Sequence, residues 1–375
     1  MKVLCVYATL RQRNGVTAVI MNYLRHMPKD GLQVDLLVYS DSEPGMVSLA
    51  ESLGAKVFFM PKLGLKSFRR FSAFLDAFFA GHPYDLVHSH FNQVDFALFP
   101  AARRHGVRHC ISHSHNTKLA DYPLRALRNR LLCRNIARNA DTLAACSEAA
   151  GRALFGKAFA DSPRKLIVRN GVDVARFAFN PSAREKIRRE FHVAPGEILL
   201  GHVGSFRPQK NHGFLLRLFD KLCRGSDRYK LLLVGNGSCE AEIRKLAAGL
   251  ASRDKIVFAG SRSDVADIFS AMDLFLLPSL YEGLPVTGIE AQAAGLECLF
   301  ADTVTKEADL TGVTFLSLTP GQQNWLSAIR SAPARHHPEF ADRIAACGYD
   351  IRAEAGKLAA FYRAHAPDRG GCHAG

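Results

Sequence analysis

The segment PSLYEGLPVTGIEAQAAG, residues 278–295, has the pattern of a strand end, a turn rich in glycine and proline, and the start of a helix. The first N–H groups and the dipole of such a helix favour a phosphate or diphosphate. Glu282 precedes the turn, and Glu290 lies about a turn and a half into the helix. Two carboxylates beside an anion site suit a ligand with hydroxyl groups on both sides of a diphosphate. A solvated helix face explains the same pair without a ligand.

A second loop carries positive charge. In GHVGSFRPQKNHGFLLRLF, residues 201–219, Arg207 and Lys210 lie between a strand-like run and a helix-like run. A guanidinium binds two phosphate oxygens at once, and an ammonium supplies a compact charge. The pair therefore predicts neutralisation of a diphosphate, although two solvated loop cations give the same pattern.

Around these segments, apolar strand-like runs alternate with helix-length segments, which predicts parallel strands with crossover helices. The first series of strand-like runs is KVLCVYA (2–8), VDLLVYS (34–40), KVFFMP (56–61), DLVHSH (85–90), CISHSH (110–115) and TLAACS (142–147). The second series is EILLGHVG (197–204), YKLLLVGNG (229–237), KIVFAG (255–260) and LFLLPS (274–279). The pattern predicts an α/β protein with two Rossmann-like domains.

We expect an N-terminal domain over residues 1–178 and a C-terminal domain over residues 179–350, because Asn170-Gly171, Pro181 and a polar stretch interrupt the alternation between them. A last apolar-periodic helix, 351–367, follows without another strand-like run and is expected to return to the first domain. Two such sheets facing each other across a cleft would present their strand ends to a shared ligand.

The composition limits the class of protein. The 375 residues are 48% apolar, enough for two hydrophobic cores. Nine cysteines without metal-ligand spacing, no secretory pattern at the start and no apolar run of about 20 residues predict a cytoplasmic chain. Residues 1–178 carry 25 Lys and Arg against 13 Asp and Glu (+12), and the remainder carries 24 against 22 (+2). The basic first half predicts an anionic partner.

The densest basic stretch is PLRALRNRLLCRNIARNA, residues 123–140. Its leucines and arginines alternate with helical period, which is typical of a helix lying on anionic lipid. A helix that packs its leucines in the core and exposes its arginines to water fits equally well.

Six segments in this order resemble glycosyltransferase family four, and more closely its capsular and exopolysaccharide branch. They are NGV (14–16), HSHN (113–116), NGVD (170–173), GSFRPQKN (204–211), LLLVGNG (231–237) and EGLPVTGIEAQAAG (282–295). The resemblance, which extends to about residue 300, implies the GT-B fold of two Rossmann-like domains, with the nucleotide-sugar donor bound mostly by the second.

The resemblance also implies roles for residues of the second domain. Arg207 and Lys210 would bind the diphosphate, Glu290 the ribose hydroxyls, and Arg262 the nucleobase. The donor sugar would be recognised by Glu282 together with the residues that follow it, Gly283, Leu284, Val286 and Thr287, and the nucleotide would be bordered by Gly235 and Asn236.

In the first domain, the resemblance brings His115 beside the donor sugar as a catalytic residue, with His113 as its close competitor. His88 and His90 would shape the floor of the cleft. Gly15 would lie near the diphosphate or the acceptor, although relatives often carry two adjacent glycines there and this chain has one.

The resemblance implies a retaining glycosyltransferase. The basic first half suits a lipid-linked or saccharide acceptor that bears phosphate, and predicts a peripheral position on the inner face of the cytoplasmic membrane. No Asp-x-Asp metal motif occurs, and cations and a helix N-terminus already serve the phosphate site, so neither a metal nor a cofactor is expected. A nucleotide-sugar epimerase or a phosphorylase on the same fold remains an alternative. The sequence pI near 9.5 leaves a nucleic-acid-binding protein as a non-enzymatic one.

Overall fold

A computed structural model of the protein describes residues 1–11, 15–64, 67–115, 128–129, 132–133, 135–319 and 322–365. The chain divides into two compact units. The first comprises Met1–Gly171 together with the residues from Ile351 onward, and the second comprises Val172–Asp350. Residues 123–127, 130–131 and 134 of the basic stretch 123–140 lie outside the described residues, as does the C-terminal tail from residue 366 onward.

The first unit is a parallel sheet flanked by helices. Its strands are β1 (Lys2–Val6), β2 (Gln33–Tyr39), β3 (Val57–Met60), β4 (Leu86–Ser89), β5 (His109–Ser114), β6 (Thr142–Ala145) and β7 (Lys165–Ile167). They are ordered β3-β2-β1-β4-β5-β6-β7. Its first helices are α1 (Gly15–His26), α2 (Pro44–Ser52), α3 (Phe68–Gly81), α4 (Asp95–Arg104), α5 (Ile136–Asn139) and α6 (Glu148–Phe155).

The central strands β1, β4 and β5 are buried along nearly their whole length, as expected for a parallel sheet covered by helices on both faces. Helix α3 shows how the helices cover the sheet. Its buried side chains recur with helical period on one face, at Phe71, Leu75, Phe78 and Phe79. Histidines and serines are buried toward the carboxyl ends of β4 and β5, in addition to Asp35 of β2 and Thr142 of β6.

The second unit repeats the architecture. Its strands are β8 (Ile198–Val203), β9 (Tyr229–Val234), β10 (Ile256–Gly260), β11 (Leu274–Leu277), β12 (Cys298–Ala301) and β13 (Thr314–Leu316), in the order β10-β9-β8-β11-β12-β13. Its helices are α7 (Val174–Phe177), α8 (Pro181–Glu190), α9 (His212–Cys223), α10 (Glu240–Ala248), α11 (Val265–Ala271), α12 (Val286–Ala293), α13 (Gln323–Ser331) and α14 (Glu339–Ile344). All of its paired strands are parallel.

Both sheets have the strand order of a Rossmann fold, in which the direction of winding reverses beside the first strand. In the first unit the reversal lies between β1 and β4, and in the second it lies between β8 and β11. Ligands of such sheets bind at the carboxyl ends of the strands at this point. The predicted α/β fold with two Rossmann-like domains is therefore confirmed.

Helix α15 (Ile351–Ala364) follows the second unit in sequence and is grouped with the first. It packs on α1, and Arg363 donates a hydrogen bond to the backbone oxygen of Asp30, between α1 and β2. At Gly171 a Cβ would lie 2.9 Å from the Cα of Ile351, so the position requires glycine.

Two details differ from the expectation. The boundary between the units lies at Gly171–Val172 rather than at residue 178, because Val174 and Phe177 are buried in the core of the second unit. Strands β12 and β13 also separate the second predicted series from the last helix. No helix of the described residues has both the length and the apolar character needed to cross a membrane.

Candidate functional site

Two loops of the second unit meet at the reversal point of its sheet. The loop after β8 and the loop after β11 follow adjacent parallel strands. The backbone N–H of Leu280 donates to the oxygen of Gln209 at 2.8 Å, and the side chain of Gln209 donates to the backbone oxygen of Tyr281 at 2.9 Å. The residues predicted to bind a diphosphate and a sugar are therefore held side by side.

Lys210 and Glu282 form the central contact between these loops. The Nζ atom of Lys210 lies 2.7 Å from Oε1 of Glu282, and the two side chains are 13% and 10% exposed. The amide of Gln209 donates to the other carboxylate oxygen at 3.3 Å. Burying a charge is costly unless it is paired, so each group stabilises the other. An ammonium has three donors, and this pair uses one of them.

Two glycines allow the neighbouring loops to approach. A Cβ on Gly235, which has a φ of +127°, would lie 2.1 Å from the oxygen of Gly204, and one on Gly237 would lie 2.4 Å from the oxygen of Phe206. The backbone N–H of Phe206 donates to the oxygen of Asn236 at 2.8 Å. The predicted Gly235-Asn236 turn thus packs directly on the loop that carries Arg207 and Lys210.

Arg207 contributes charge without a partner of its own. It is exposed, just before the short 3₁₀ turn Pro208–Lys210, and within the described part of the chain its side chain makes no hydrogen bond or ion pair. Asn211 ends this turn with a left-handed φ of 54° and directs the chain into α9. The guanidinium is free to bind an incoming anion.

Helix α12 begins beside this loop pair, with Pro285 as its N-cap residue. The hydroxyl of Thr287 is buried and has no hydrogen-bond partner among the described residues. Such groups are uncommon in folded proteins because an unmet buried polar atom is costly. A ligand with hydrogen-bonding oxygens at the helix N-terminus would satisfy it.

Glu290 lies further along α12 and is partly buried. Burial raises the pKa of its carboxyl group from 4.5 to about 7, and the charge of Arg176 opposes that shift. Sequence reasoning missed Arg176, which belongs to α7 and donates a hydrogen bond to the backbone oxygen of Ser263 at 3.1 Å. In the sequence, only the NGVD motif (170–173), directly before α7, marked the neighbourhood of Arg176 as functional.

Arg262 is already engaged in this structure. Its guanidinium forms ion pairs with Glu190 at 2.6 Å and with Asp264 at 2.7 Å, and it lies 5.6 Å from the ring centroid of Phe191. The hydrogen bonds that Arg262 donates to Asp264 and Glu190 raise the pKa of its guanidinium. These contacts give Arg262 a role in fixing the loop after β10, and its contact with a nucleobase stays a prediction.

Two histidines beneath the cationic loop were also missed. Nδ1 of His202 lies 2.8 Å from the oxygen of Leu276, whereas its Nε2 and both ring nitrogens of His212 are buried without a partner among the described residues. Burial lowers the pKa of His212 to about 4 and that of His202 well below its ordinary value. Both rings are therefore neutral near pH 7.

The remaining predicted residues belong to the first unit. His115 follows β5 and is partly exposed, whereas His113 is 1% exposed. Of the two, His115 is thus the one accessible to a ligand. Gly15 is the first residue of α1, and a Cβ there would meet nothing within 4 Å, so the protein itself does not require glycine at this position.

Two Rossmann-like domains in one chain, with a cationic loop and a helix N-terminus at the reversal point of the second, fit the GT-B fold, and two family models identify the class as a glycosyltransferase. The family model described as "Glycosyl transferase 4-like domain" matches residues 14–171, and the one described as "Glycosyl transferases group 1" matches residues 183–311.

Relatives extend this match over nearly the whole chain. The chain is 34% identical over 358 residues to the "Putative glycosyltransferase EpsF" of Bacillus subtilis, covering 93% of each. It is 23% identical to a UDP-Gal:α-D-GlcNAc-diphosphoundecaprenol α-1,3-galactosyltransferase of Escherichia coli, covering 77% of this chain and 76% of that one. HepE of Anabaena, solved with UDP, superposes with a TM-score of 0.79 at 18% identity, covering 97% and 100%. The chain belongs to glycosyltransferase family four.

The raised pKa of Glu290 predicts a pH-dependent effect of Glu290→Gln on stability. The folded protein retains a proton that the unfolded chain releases, so this stabilisation is present below pH 4.5 and is lost as the pH rises through about 7. Glutamine stays neutral. The wild-type protein therefore loses stability between pH 5 and pH 8 at this position, and the variant does not. We expect the unfolding free energy of Glu290→Gln, relative to wild type, to be about 1–3 kcal/mol larger at pH 8 than at pH 5.

Chemical denaturation at both pH values measures this difference. The matched control is Glu242→Gln, which replaces an exposed glutamate of α10. It should change the unfolding free energy by the same amount at pH 5 and at pH 8. An equal effect of Glu290→Gln at pH 5 and pH 8 would show that this carboxyl group has an ordinary pKa.

Proposed function

We propose that this glycosyltransferase moves a sugar from a UDP- or GDP-linked donor to a lipid-linked or saccharide acceptor in the synthesis of cell-surface polysaccharide, with retention of configuration and without a metal ion. The observation that carries the proposal is the position of Lys210. Its ammonium lies 2.7 Å from Glu282, at the reversal point of the second sheet and near the start of α12. A diphosphate with hydroxyl groups on both sides fits this arrangement of charges.

The donor would bind to the second unit through its diphosphate. Arg207 has an exposed guanidinium, and among the described residues Lys210 has two unused donors and the hydroxyl of Thr287 has no partner. HepE was solved with UDP, and the name of the galactosyltransferase includes UDP-Gal as its donor, which supports a nucleotide sugar here. Glu290 would accept from the ribose hydroxyls and Glu282 from the sugar.

The chemistry would depend on stabilising the leaving diphosphate. Negative charge develops on this group as the bond to the sugar breaks, and fixed cations in a desolvated site lower the energy of that state. Glu282 is held by Lys210 and Gln209 and serves to bind rather than to attack. The acceptor would therefore enter on the face that the diphosphate leaves, and a phosphate oxygen would take its proton. His115 would hydrogen-bond the donor sugar.

The acceptor is proposed from charge and from the relatives. The first half of the chain carries a net charge of +12, which suits an anionic acceptor or surface. EpsF is a putative glycosyltransferase, and its similarity over nearly the full chain fits the exopolysaccharide branch of the family. The name of the galactosyltransferase includes an undecaprenol diphosphate acceptor. These observations favour work at the inner face of the cytoplasmic membrane and do not favour the epimerase, phosphorylase or nucleic-acid-binding alternatives.

Loss of Lys210 tests the diphosphate site. A charge-assisted hydrogen bond contributes about 1.5–3 kcal/mol, so Lys210→Ala should lower turnover of the nucleotide sugar at least about tenfold. Turnover is measured per folded molecule, since the variant also leaves the buried Glu282 unpaired. Lys245→Ala, which removes an exposed lysine of α10, is the control and should keep full activity. Full activity of Lys210→Ala would exclude Lys210 from the site.

Metal independence predicts that transfer continues in excess EDTA at the rate of the untreated enzyme, because the cations of the site are side chains. Initial rates before and after chelation measure this, with a metal-dependent transferase as the positive control. Strict dependence of the rate on added Mn²⁺ or Mg²⁺ would contradict the proposal.

The proposed membrane contact predicts binding of the full chain to vesicles that contain anionic phospholipid. Because the attraction is electrostatic, the bound fraction should fall as salt is raised from about 0.05 M to 0.5 M. Sedimentation with vesicles measures the bound fraction, and vesicles of neutral phosphatidylcholine are the control. Equal binding to both kinds of vesicle at all salt concentrations would remove the electrostatic contact.

A further inference from the structure

Two hydrogen-bonded pairs of histidines connect the ends of the adjacent strands β4 and β5 in the first unit. In the outer pair, Nδ1 of His90 lies 2.7 Å from Nε2 of His115, and both residues are partly exposed. In the inner pair, Nε2 of His88 lies 3.1 Å from Nδ1 of His113, and these residues are 0% and 1% exposed. The proposed function uses only His115, and the pairing of His115 with His90 is not part of it.

The protein holds His90 firmly on two sides. Its backbone N–H donates to the oxygen of Val6, at the end of β1, at 2.8 Å. Its ring stacks on that of Tyr7 at 4.4 Å between centroids and on that of His88 at 4.1 Å. Tyr7 and His88 are themselves buried, so these contacts restrict the rotamer of His90. His90 is therefore a fixed partner for the ring of His115.

The hydrogen bond of the outer pair couples the protons of the two rings. Burial lowers the pKa of His115 to about 4, and burial with the neighbouring histidines lowers that of His90 well below its ordinary value, so both rings are neutral near pH 7. A neutral imidazole has an N–H on one nitrogen and a lone pair on the other. A bond between Nδ1 of His90 and Nε2 of His115 needs one of each. The two rings therefore carry their protons either both on Nδ1 or both on Nε2.

This coupling decides what the other nitrogen of His115 offers to a ligand. Nδ1 of His115 makes no hydrogen bond among the described residues. The hydrogen bond at one ring nitrogen sets whether the other carries a proton. His90 thus determines whether Nδ1 of His115 presents an N–H or a lone pair. A ring held in one orientation and one tautomer is preorganised for its ligand.

The inner pair has a different connection. Nδ1 of His88 lies 2.6 Å from the hydroxyl of Tyr362, a buried residue of α15, so this pair is bonded onward into the interior of the unit. His113 bonds to His88 and not to His90. The contact with His90 therefore belongs to His115, the histidine of β5 that is accessible to a ligand.

We propose that His90 is a positioning residue of the transfer reaction, which fixes the orientation and the tautomer of His115 so that Nδ1 of His115 bonds the donor sugar. His90 acts through His115 and does not touch the sugar itself. This inference rests on the role of His115 in the proposed function. It adds the residue that prepares His115 before the donor arrives.

Nitrogen NMR of the full chain labelled with ¹⁵N-histidine tests the pairing without any need for turnover. We expect one fixed tautomer for His115 and the same tautomer for His90. His90→Phe keeps an aromatic ring and removes the hydrogen bond, so His115 should then show the averaged shifts of two exchanging tautomers. The control is His109→Gln, which should leave His115 unchanged, since Nε2 of His109 lies 2.8 Å from the hydroxyl of Thr142 instead.

Turnover of the nucleotide sugar tests the positioning role. Loss of one neutral hydrogen bond should lower kcat/KM of His90→Phe about three- to tenfold. His90→Asn should recover part of this loss, because its amide can take the position of Nδ1. In a His115→Ala background, His90→Phe should have no further effect, since a positioning residue acts only through the residue that it holds.

Circular dichroism confirms that each variant is folded, and if His90→Phe fails to fold, the wild-type spectrum and the activity of His90→Asn decide. The proposal is overturned if wild-type His115 shows averaged shifts, if the two rings have different tautomers, or if folded His90→Phe lowers kcat/KM equally with and without His115. Full activity of His115→Ala would reject the role of His115 in the proposed function, and with it the positioning role of His90, while the spectra would still report the pairing.

Discussion

The candidate donor site depends on the adjacency of β8 and β11. These strands are separated in sequence by β9 and β10, yet the Rossmann strand order places them side by side and parallel. Their carboxyl ends therefore open at the same edge, and the two loops that follow must meet. The contact between Lys210 and Glu282, two mostly buried side chains, is the direct result. Neither charge is stable there alone, so the pair keeps both groups positioned before a ligand arrives.

Close backbone approach gives this arrangement its shape. Gly235 and Gly237 let the loop after β9 lie against the loop after β8, where any side chain would overlap a carbonyl oxygen. The cationic loop is thus supported from one side by the glycine turn and from the other by the segment around Glu282. Preorganised charges of this kind stabilise a leaving group without a reorganisation cost during the reaction. In the first unit the same strand order gathers four histidines instead, at the ends of β4 and β5.

Much of the fold and of the candidate donor site was predictable from the sequence, because both follow from local sequence patterns. Apolar runs separated by helix-length segments predicted the parallel sheets, and the segments that carry Lys210 and Glu282 were predicted to belong to one donor site. Strands β7 and β13 escaped prediction because they have only three residues each, and the four-residue strand β12 escaped it as well. The electrostatic interaction between Arg176 and Glu290 and the ion pair of Arg262 with Glu190 also escaped it. The four histidines of β4 and β5 were expected at the cleft, but the hydrogen bonds between the histidines of the two strands were not. Each joins segments that are distant in sequence, and its geometry is set by tertiary packing rather than by any periodic pattern.

The central claim is that this edge of the second sheet holds the pyrophosphate of a sugar nucleotide. A crystal structure of the chain with bound UDP tests it most directly. The account predicts pyrophosphate oxygens at hydrogen-bond distance, about 2.7–3.2 Å, from the ammonium of Lys210 and the guanidinium of Arg207, with the ribose hydroxyls on Glu290. Pyrophosphate bound away from the loop 204–211, with the contact between Lys210 and Glu282 unchanged, would contradict it.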